Sequence, residues 1–330
     1  MTDALFLTSE AVDDLATPAD YVAAVRDGYR EVGEGAPAEP RTLLPSGDPP
    51  GMLTTYVAML PEVGAMGGYT YAAGFAERDA WFLTPLFDAE TGEPLAVIDG
   101  ASMNPFKTGA AGAVAVDALA RPDASTVAVI GSGPQARGQL RTTATVRDLT
   151  GVRVFSPTPA NRESFADEFA ERLDADVTAV SSADAALADA DVVITATTAS
   201  EPVIADADVE PGTHVTAMGQ YAADKHELPP ELVARATYVP DLTARATRDA
   251  GSFIAAREAG LVSDDDLEVE LGDVVAGSHP GRTSDDEVTV FDSGGTGIET
   301  VAAAHMLYER AREAGRGTPL SIAPASEALT

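Results

Sequence analysis

A five-residue apolar run, Thr126-Val127-Ala128-Val129-Ile130, passes directly into Gly131-Ser132-Gly133-Pro134-Gln135-Ala136. A short, wholly apolar strand suits the middle of a parallel sheet, where both faces are buried. The GxGxxA pattern between such a strand and a helix has a mechanical reading. The first glycine permits a tight turn, the second lets the backbone approach a pyrophosphate, and Ala136 keeps helix and sheet close. The helix N-terminus then faces the phosphates. This stretch predicts a dinucleotide site built on Gly131, Gly133, Pro134, Gln135 and Ala136.

The chain beyond Ala136 keeps the same rhythm. A helix is expected over 135–149, a strand over 152–156, a helix over 160–173 and a strand near 177–180. A short helix over 182–189 and strands over 192–197, 213–219 and 236–241 continue it. Strands alternating with helices imply right-handed crossovers and a doubly wound sheet. The first hundred residues read differently. A helix is expected over 10–33, a Pro- and Gly-rich loop over 34–52, and short β-prone runs between Met52 and Gly100. Residues 107–120 read as a small-residue helix and 295–314 as a last helix, before a Pro/Ala/Ser tail expected to be poorly ordered. The fold class is α/β, a Rossmann-type doubly wound domain beside a second α+β domain.

Composition narrows the function classes. The 330 residues carry 53 acidic and 21 basic side chains, a net charge of −32. Such a field repels nucleic acid and anionic membranes, and it suits a surface adapted to high salt, a halophilic setting. Hydrophobic residues make up 45% of the chain, enough for a real core. No cysteine is present, which removes disulfides, thiolate metal sites and a cysteine nucleophile. His214, His226, His279 and His305 show no metal-ligand spacing, so no metal is expected. The N-terminal residues show no signal-peptide pattern, and no apolar run reaches membrane-spanning length. A cytoplasmic protein acting on a small molecule is the expectation.

The end of the second Rossmann strand bears on cofactor choice. NAD-binding sites usually place Asp or Glu there, on the ribose 2′-hydroxyl. Here the chain reads Phe155-Ser156-Pro157-Thr158-Pro159-Ala160-Asn161-Arg162, with no acid. Ser156, Thr158 and Arg162 suit a 2′-phosphate, which favours NADP over NAD. Alternatively, the two hydroxyls serve the turn and Arg162 lies on a solvated helix face.

A series of landmarks then resembles the ornithine cyclodeaminase/mu-crystallin family, whose archaeal relatives include alanine dehydrogenases. Pro40-Arg41, Phe87-Asp88 with Thr91-Gly92-Glu93-Pro94-Leu95-Ala96, and Lys107-Thr108-Gly109-Ala110-Ala111 occur in family order. Leu119-Ala120-Arg121-Pro122, Thr195-Ala196-Thr197, Gly219 with Glu227-Leu228, and Phe291-Asp292-Ser293-Gly294-Gly295 come after them. The resemblance implies a substrate and dimerisation domain from 1–119 plus 301–330, with a Rossmann domain from 120–300 inserted in it. It implies a homodimer paired through the β-rich domains. It also implies an oxidoreductase acting on a small amino, imino or keto acid, as an imine reductase or amino-acid dehydrogenase.

The resemblance assigns roles as well. Arg41 corresponds to the arginine that holds the substrate carboxylate, and Lys107 stands where the family has a second arginine. Tyr69 stands where members commonly have a lysine that takes part in proton chemistry. The acid that active cyclodeaminases carry after the later strand is replaced by Tyr221, with Asp224 nearby. The loss of that lysine and acid speaks against ornithine cyclodeamination. Thr197, Gly219 and Ser293 are implied on the cofactor. The alternative is a non-catalytic NADP(H)-dependent small-ligand binder of the mu-crystallin type.

The charge of −32 generates a stability prediction. Screening of like charges should raise the melting temperature as salt is added. The check is a thermal scan across ionic strength. A melting temperature that falls with salt contradicts the expectation.

Overall fold

The computed structural model describes residues 2–75 and 79–327. The chain begins β1 (Thr2–Leu7), α1 (Ser9–Val12), α2 (Pro18–Gly33), β2 (Thr42–Gly47), β3 (Pro50–Leu60), β4 (Ala65–Phe75), β5 (Asp79–Asp88), β6 (Pro94–Asp99) and α3 (Asn104–Leu119). It continues β7 (Thr126–Ile130), α4 (Pro134–Thr143), β8 (Gly151–Phe155), α5 (Pro159–Ala170), β9 (Asp176–Ala179), α6 (Ala183–Leu187), β10 (Val192–Thr195), β11 (His214–Ala217) and α7 (Pro230–Arg235). Then come β12 (Thr237–Pro240), α8 (Thr243–Asp249), α9 (Gly251–Glu258), α10 (Leu271–Val275), β13 (Thr289–Asp292), α11 (Gly297–Glu313) and β14 (Thr318–Ile322).

These elements form two compact units, one of residues 1–107 with 296–330 and one of residues 108–295. The breaks fall earlier than the expected 119/120 and 300/301. Most of α3 belongs with the second unit because its small residues let α4 come close: a Cβ at Gly109 or Gly112 would overlap the Gly138 carbonyl or the Gln139 side chain.

The first unit is a seven-stranded sheet ordered β14-β1-β6-β5-β4-β3-β2. Among the described residues its one parallel pair is β1 with β6, and every other pair is antiparallel. Alternation along β3 to β5 sends Thr54, Tyr56, Tyr69, Tyr71, Phe82 and Leu86 to one face. That face is covered in part by α11, which packs on β3 and β4 and on α2. The opposite face leaves Leu53, Val57, Met59, Trp81, Leu83 and Phe87 exposed. A groove of about 400 Å³ on it is lined by residues that include Pro37, Met66, Thr70 and Pro85.

Three expectations in this unit are corrected. Residues 10–33 form two helices, because Asp14 takes a positive φ of 63° and a Thr17–Asp20 capping box with Pro18 at the first position starts α2 afresh. The supposed loop over 34–52 carries β2, an edge strand paired with β3 from Thr42↔Thr55 to Gly47↔Pro50. An edge tolerates Pro45, which is why composition misleads there. The tail contributes β14, which pairs antiparallel with β1 across more than 300 residues of sequence. The final residues, 328–330, lie outside the described part.

The second unit is a parallel sheet ordered β12-β13-β11-β10-β7-β8-β9. Apart from β13, which inserts between β11 and β12, the order is that of the dinucleotide-binding fold, with its switch point between β7 and β10. One apolar cluster, including Val129, Leu140, Phe165 and Phe169, covers one side. Another, including Val215, Leu232, Tyr238 and Phe253, covers the other. His214 is fully buried there, its ring nitrogens set against the Thr289 and Thr216 hydroxyls, and burial drives its pKa down to about 3. It is a core residue. No helix among the described residues is long and apolar enough to cross a membrane.

Candidate active site

The three residues implied in catalysis converge in the first unit. Arg41 leads into β2, Tyr69 lies in β4, and Lys107 lies in the first turn of α3; all three are buried. They meet at Tyr56 of β3. The Arg41 guanidinium stands 5.5 Å from the Tyr56 ring centroid and the Lys107 ammonium 5.8 Å. Lys107 also lies 4.7 Å from the Tyr69 ring. Tyr69 stacks on Phe82 at 5.0 Å and 9°, and Tyr71 lies 5.7 Å from Tyr69. The outcome is an aromatic wall carrying two cations, whose charge the ring faces favour.

The Tyr69 hydroxyl donates to the Gly100 carbonyl at 3.2 Å, and burial pushes its pKa well above the ordinary phenol value. Lys107 is shifted the opposite way. Burial lowers its pKa, the Glu299 carboxylate opposes the shift, and the Arg41 charge adds to it. Glu299 pairs with Lys107 at 3.4 Å, both side chains 1% exposed. Glu299 is not marked in the sequence as a site residue. Its only signal was the Thr296-x-x-Glu299 capping box, which marks the start of α11 and carries no hint of a lysine 192 positions away.

The cofactor candidates gather in the second unit, all at the carboxyl ends of its strands. Gly131, Gly133, Pro134, Gln135 and Ala136 follow β7; Ser156, Thr158 and Arg162 follow β8; Thr197 follows β10, Gly219 follows β11 and Ser293 follows β13. Gly131 has φ +123°, and a Cβ there would sit 2.3 Å from the Ala196 carbonyl oxygen. A Cβ at Gly133 would meet nothing within 4 Å. Gly133 is the N-cap of α4 and forms no side-chain cap, so the first N–H groups of that helix remain for a ligand. An open glycine at an uncapped helix start fits a pyrophosphate. Ser132 donates to the Ser156 hydroxyl at 3.0 Å, and Arg162 donates to the Ser156 carbonyl at 2.9 Å.

Two buried ionic groups hold this edge together. Glu227 accepts the Thr195 hydroxyl at 3.0 Å and the backbone N–H groups of Thr197 and Gly219 at 2.7 and 2.8 Å. It thus ties the ends of β10 and β11, although burial raises its pKa. Arg245 pairs with Asp241, with Asp249 at 3.0 Å and with Asp292 at 2.7 Å. Asp241 in turn accepts the Ser293 hydroxyl and the Gly294 N–H at 2.8 and 3.0 Å. Ser293 therefore anchors the loop after β13. Tyr221 is exposed, and His226 is half-buried beside Glu227. No cluster of potential metal ligands occurs among the described residues.

Comparison with known proteins shows the family. The family model of the ornithine cyclodeaminase/mu-crystallin family matches residues 2–315, and the chain belongs to that family. A Delta(1)-pyrroline-2-carboxylate reductase of Bacillus cereus is 36% identical over 233 residues, 70% of this chain and 71% of its own. An alanine dehydrogenase of Archaeoglobus fulgidus is 31% identical over 327 residues, 97% of this chain and 99% of its own. Among solved structures, Thermococcus litoralis Delta(1)-pyrroline-2-carboxylate reductase in complex with NADH and L-proline superimposes with a TM-score of 0.90 at 30% identity, covering 96% of this chain and all of that one.

Proposed function

We propose that this NAD(P)-dependent oxidoreductase reduces a cyclic α-imino acid to the corresponding cyclic amino acid. The carrying observation is the pair of buried cations, Arg41 and Lys107, set on an aromatic wall of Tyr56, Tyr69, Tyr71 and Phe82. A guanidinium fork suits a carboxylate, and ring faces suit a flat five- or six-membered ring. The similar reductases of Bacillus cereus and Thermococcus litoralis support this choice.

The nicotinamide, when bound, supplies the hydride to the imine carbon. The protein must bind the acid and deliver one proton to the imine nitrogen. Arg41 holds the carboxylate. Lys107 is the proton source: its ammonium is less tightly protonated than an ordinary lysine because it is buried, so it gives up a proton more readily. After transfer its neutral amine regains a proton from solvent. Tyr69, implied in proton chemistry by family position, has its hydroxyl committed to Gly100 and a raised pKa, so it serves as a wall of the pocket.

On the cofactor, Gly131 to Ala136 would cradle the pyrophosphate. Ser156, Thr158, the uncapped start of α5 and Arg162 would face the adenosine ribose. With no carboxylate at the end of β8, this edge favours NADPH over NADH. The exposed apolar face of the first sheet, with Trp81 76% exposed, is the surface expected to pair two copies in a homodimer.

In assays with cyclic imino acids, Arg41→Ala should weaken substrate binding tenfold or more, the loss of about 1.5–3 kcal/mol of charge-assisted pairing, and leave nucleotide affinity near wild type. Lys107→Met should lower kcat by about 10²–10⁴, and Tyr69→Phe should cost far less. Equal losses in the two would move the proton to the tyrosine. Fluorescence titration should show tighter NADPH than NADH, with the order reversed by Ser156→Asp; a wild-type preference for NADH defeats the cofactor assignment. Light scattering should give twice the chain mass for the wild type and the single mass for Trp81→Glu. A wild-type monomer excludes the sheet-face dimer.

A further inference from the structure

We propose that Glu299 is a positioning residue that fixes the charge and orientation of Lys107, linking the supply of the proton to the first turn of α11. This rests on reading Lys107 as the proton source, and it adds a residue that no family landmark in the sequence marked. The geometry carries it. A capping-box glutamate ordinarily sits at the wet end of a helix and satisfies backbone groups there. Glu299 does cap α11, taking the Thr296 N–H at 2.7 Å on Oε1 and the Thr296 hydroxyl on Oε2. Yet it is 1% exposed, and Oε1 also faces the Lys107 ammonium at 3.4 Å. With both oxygens held by Thr296, the carboxylate cannot swing away from the lysine.

A buried ammonium without a counter-charge loses its proton. The groups packed round Lys107 come from four elements: Glu299 from α11, Arg41 from the segment before β2, Tyr56 from β3 and Tyr69 from β4. Arg41 repels the ammonium, and the two rings supply only their faces. Glu299 is the anion in direct contact with it. Asp99, whose charge reaches Tyr69, is bonded to Ser9 and Ala101 at the end of β6. At 3.4 Å the Lys107–Glu299 contact is longer than a tight charge-assisted hydrogen bond of about 2.7–2.9 Å. It is close enough to keep the lysine charged and loose enough to leave an N–H for the substrate.

The chain has two lysines, Lys107 and Lys225, which makes a direct test practicable. In full-length protein carrying Lys225→Arg and lysine labelled with ¹³C at Cε, the remaining signal reports Lys107. Glu299→Gln keeps a capping side chain and removes the charge. The Lys107 titration midpoint should then fall by about one pH unit or more, the scale of a neighbouring opposite charge. The alkaline limb of kcat/KM should move down with it. An unchanged midpoint overturns the proposal whatever the activity. A midpoint that moves while the limb stays supports the role of Glu299 and refutes Lys107 as proton source. If Glu299→Gln does not fold, Glu299→Asp withdraws the carboxylate by one methylene. A smaller fall is then expected, and no fall overturns the proposal.

Discussion

An ammonium and a guanidinium share the interior of the first unit with four aromatic rings, and much of the unit's design comes from keeping them there. Burying a charge is costly unless it is paired, and a pair is favourable only where its remaining hydrogen bonds are met. Glu299 meets that requirement for Lys107, and the Tyr56 ring lies beside both cations. The start of α11 must therefore lie over β3 and β4, and α3 must begin directly after β6. The result is buried positive charge in a setting where attraction for an anion is far stronger than in water.

The second unit solves a related problem at the carboxyl edge of its sheet. Loops there must stay fixed although they carry glycines and the uncapped start of α4. Glu227 and Arg245 do this with buried charge, each binding the ends of two neighbouring strands. Arg245, fully buried between three aspartates, shows why the acid excess of this chain is not wholly a surface matter.

The second unit was legible because its signals are local. TVAVI followed by GSGPQA names a strand, a turn and a helix within eleven residues, and the structure has them as β7 and α4. The first unit shows in the sequence only in outline. β14 exists because β1 offers it an edge, and β2 because β3 does; neither pairing leaves a periodic trace in its own segment. Arg41, Tyr69 and Lys107 could be named from family position, and the structure brings them together. Their partners could not be. Tyr56 and Phe82 read as ordinary strand residues because strand pairing, not their own segment, sets them beside Tyr69, and Glu299 reads as a helix cap because its contact with Lys107 spans 192 residues.

In the proposed reaction, buried positive charge in the first unit selects a carboxylate and the adjacent imine carbon takes the hydride. The most direct measurement traces deuterium from nicotinamide cofactor dideuterated at C4 into a cyclic imine, offered as the free acid and as its methyl ester. Deuterium should appear on the α-carbon of the amino acid formed from the acid. The kcat/KM for the ester should be lower by about tenfold or more, the value of one lost charge-assisted pair. Equal rates for acid and ester, or product without deuterium at that carbon, would contradict it.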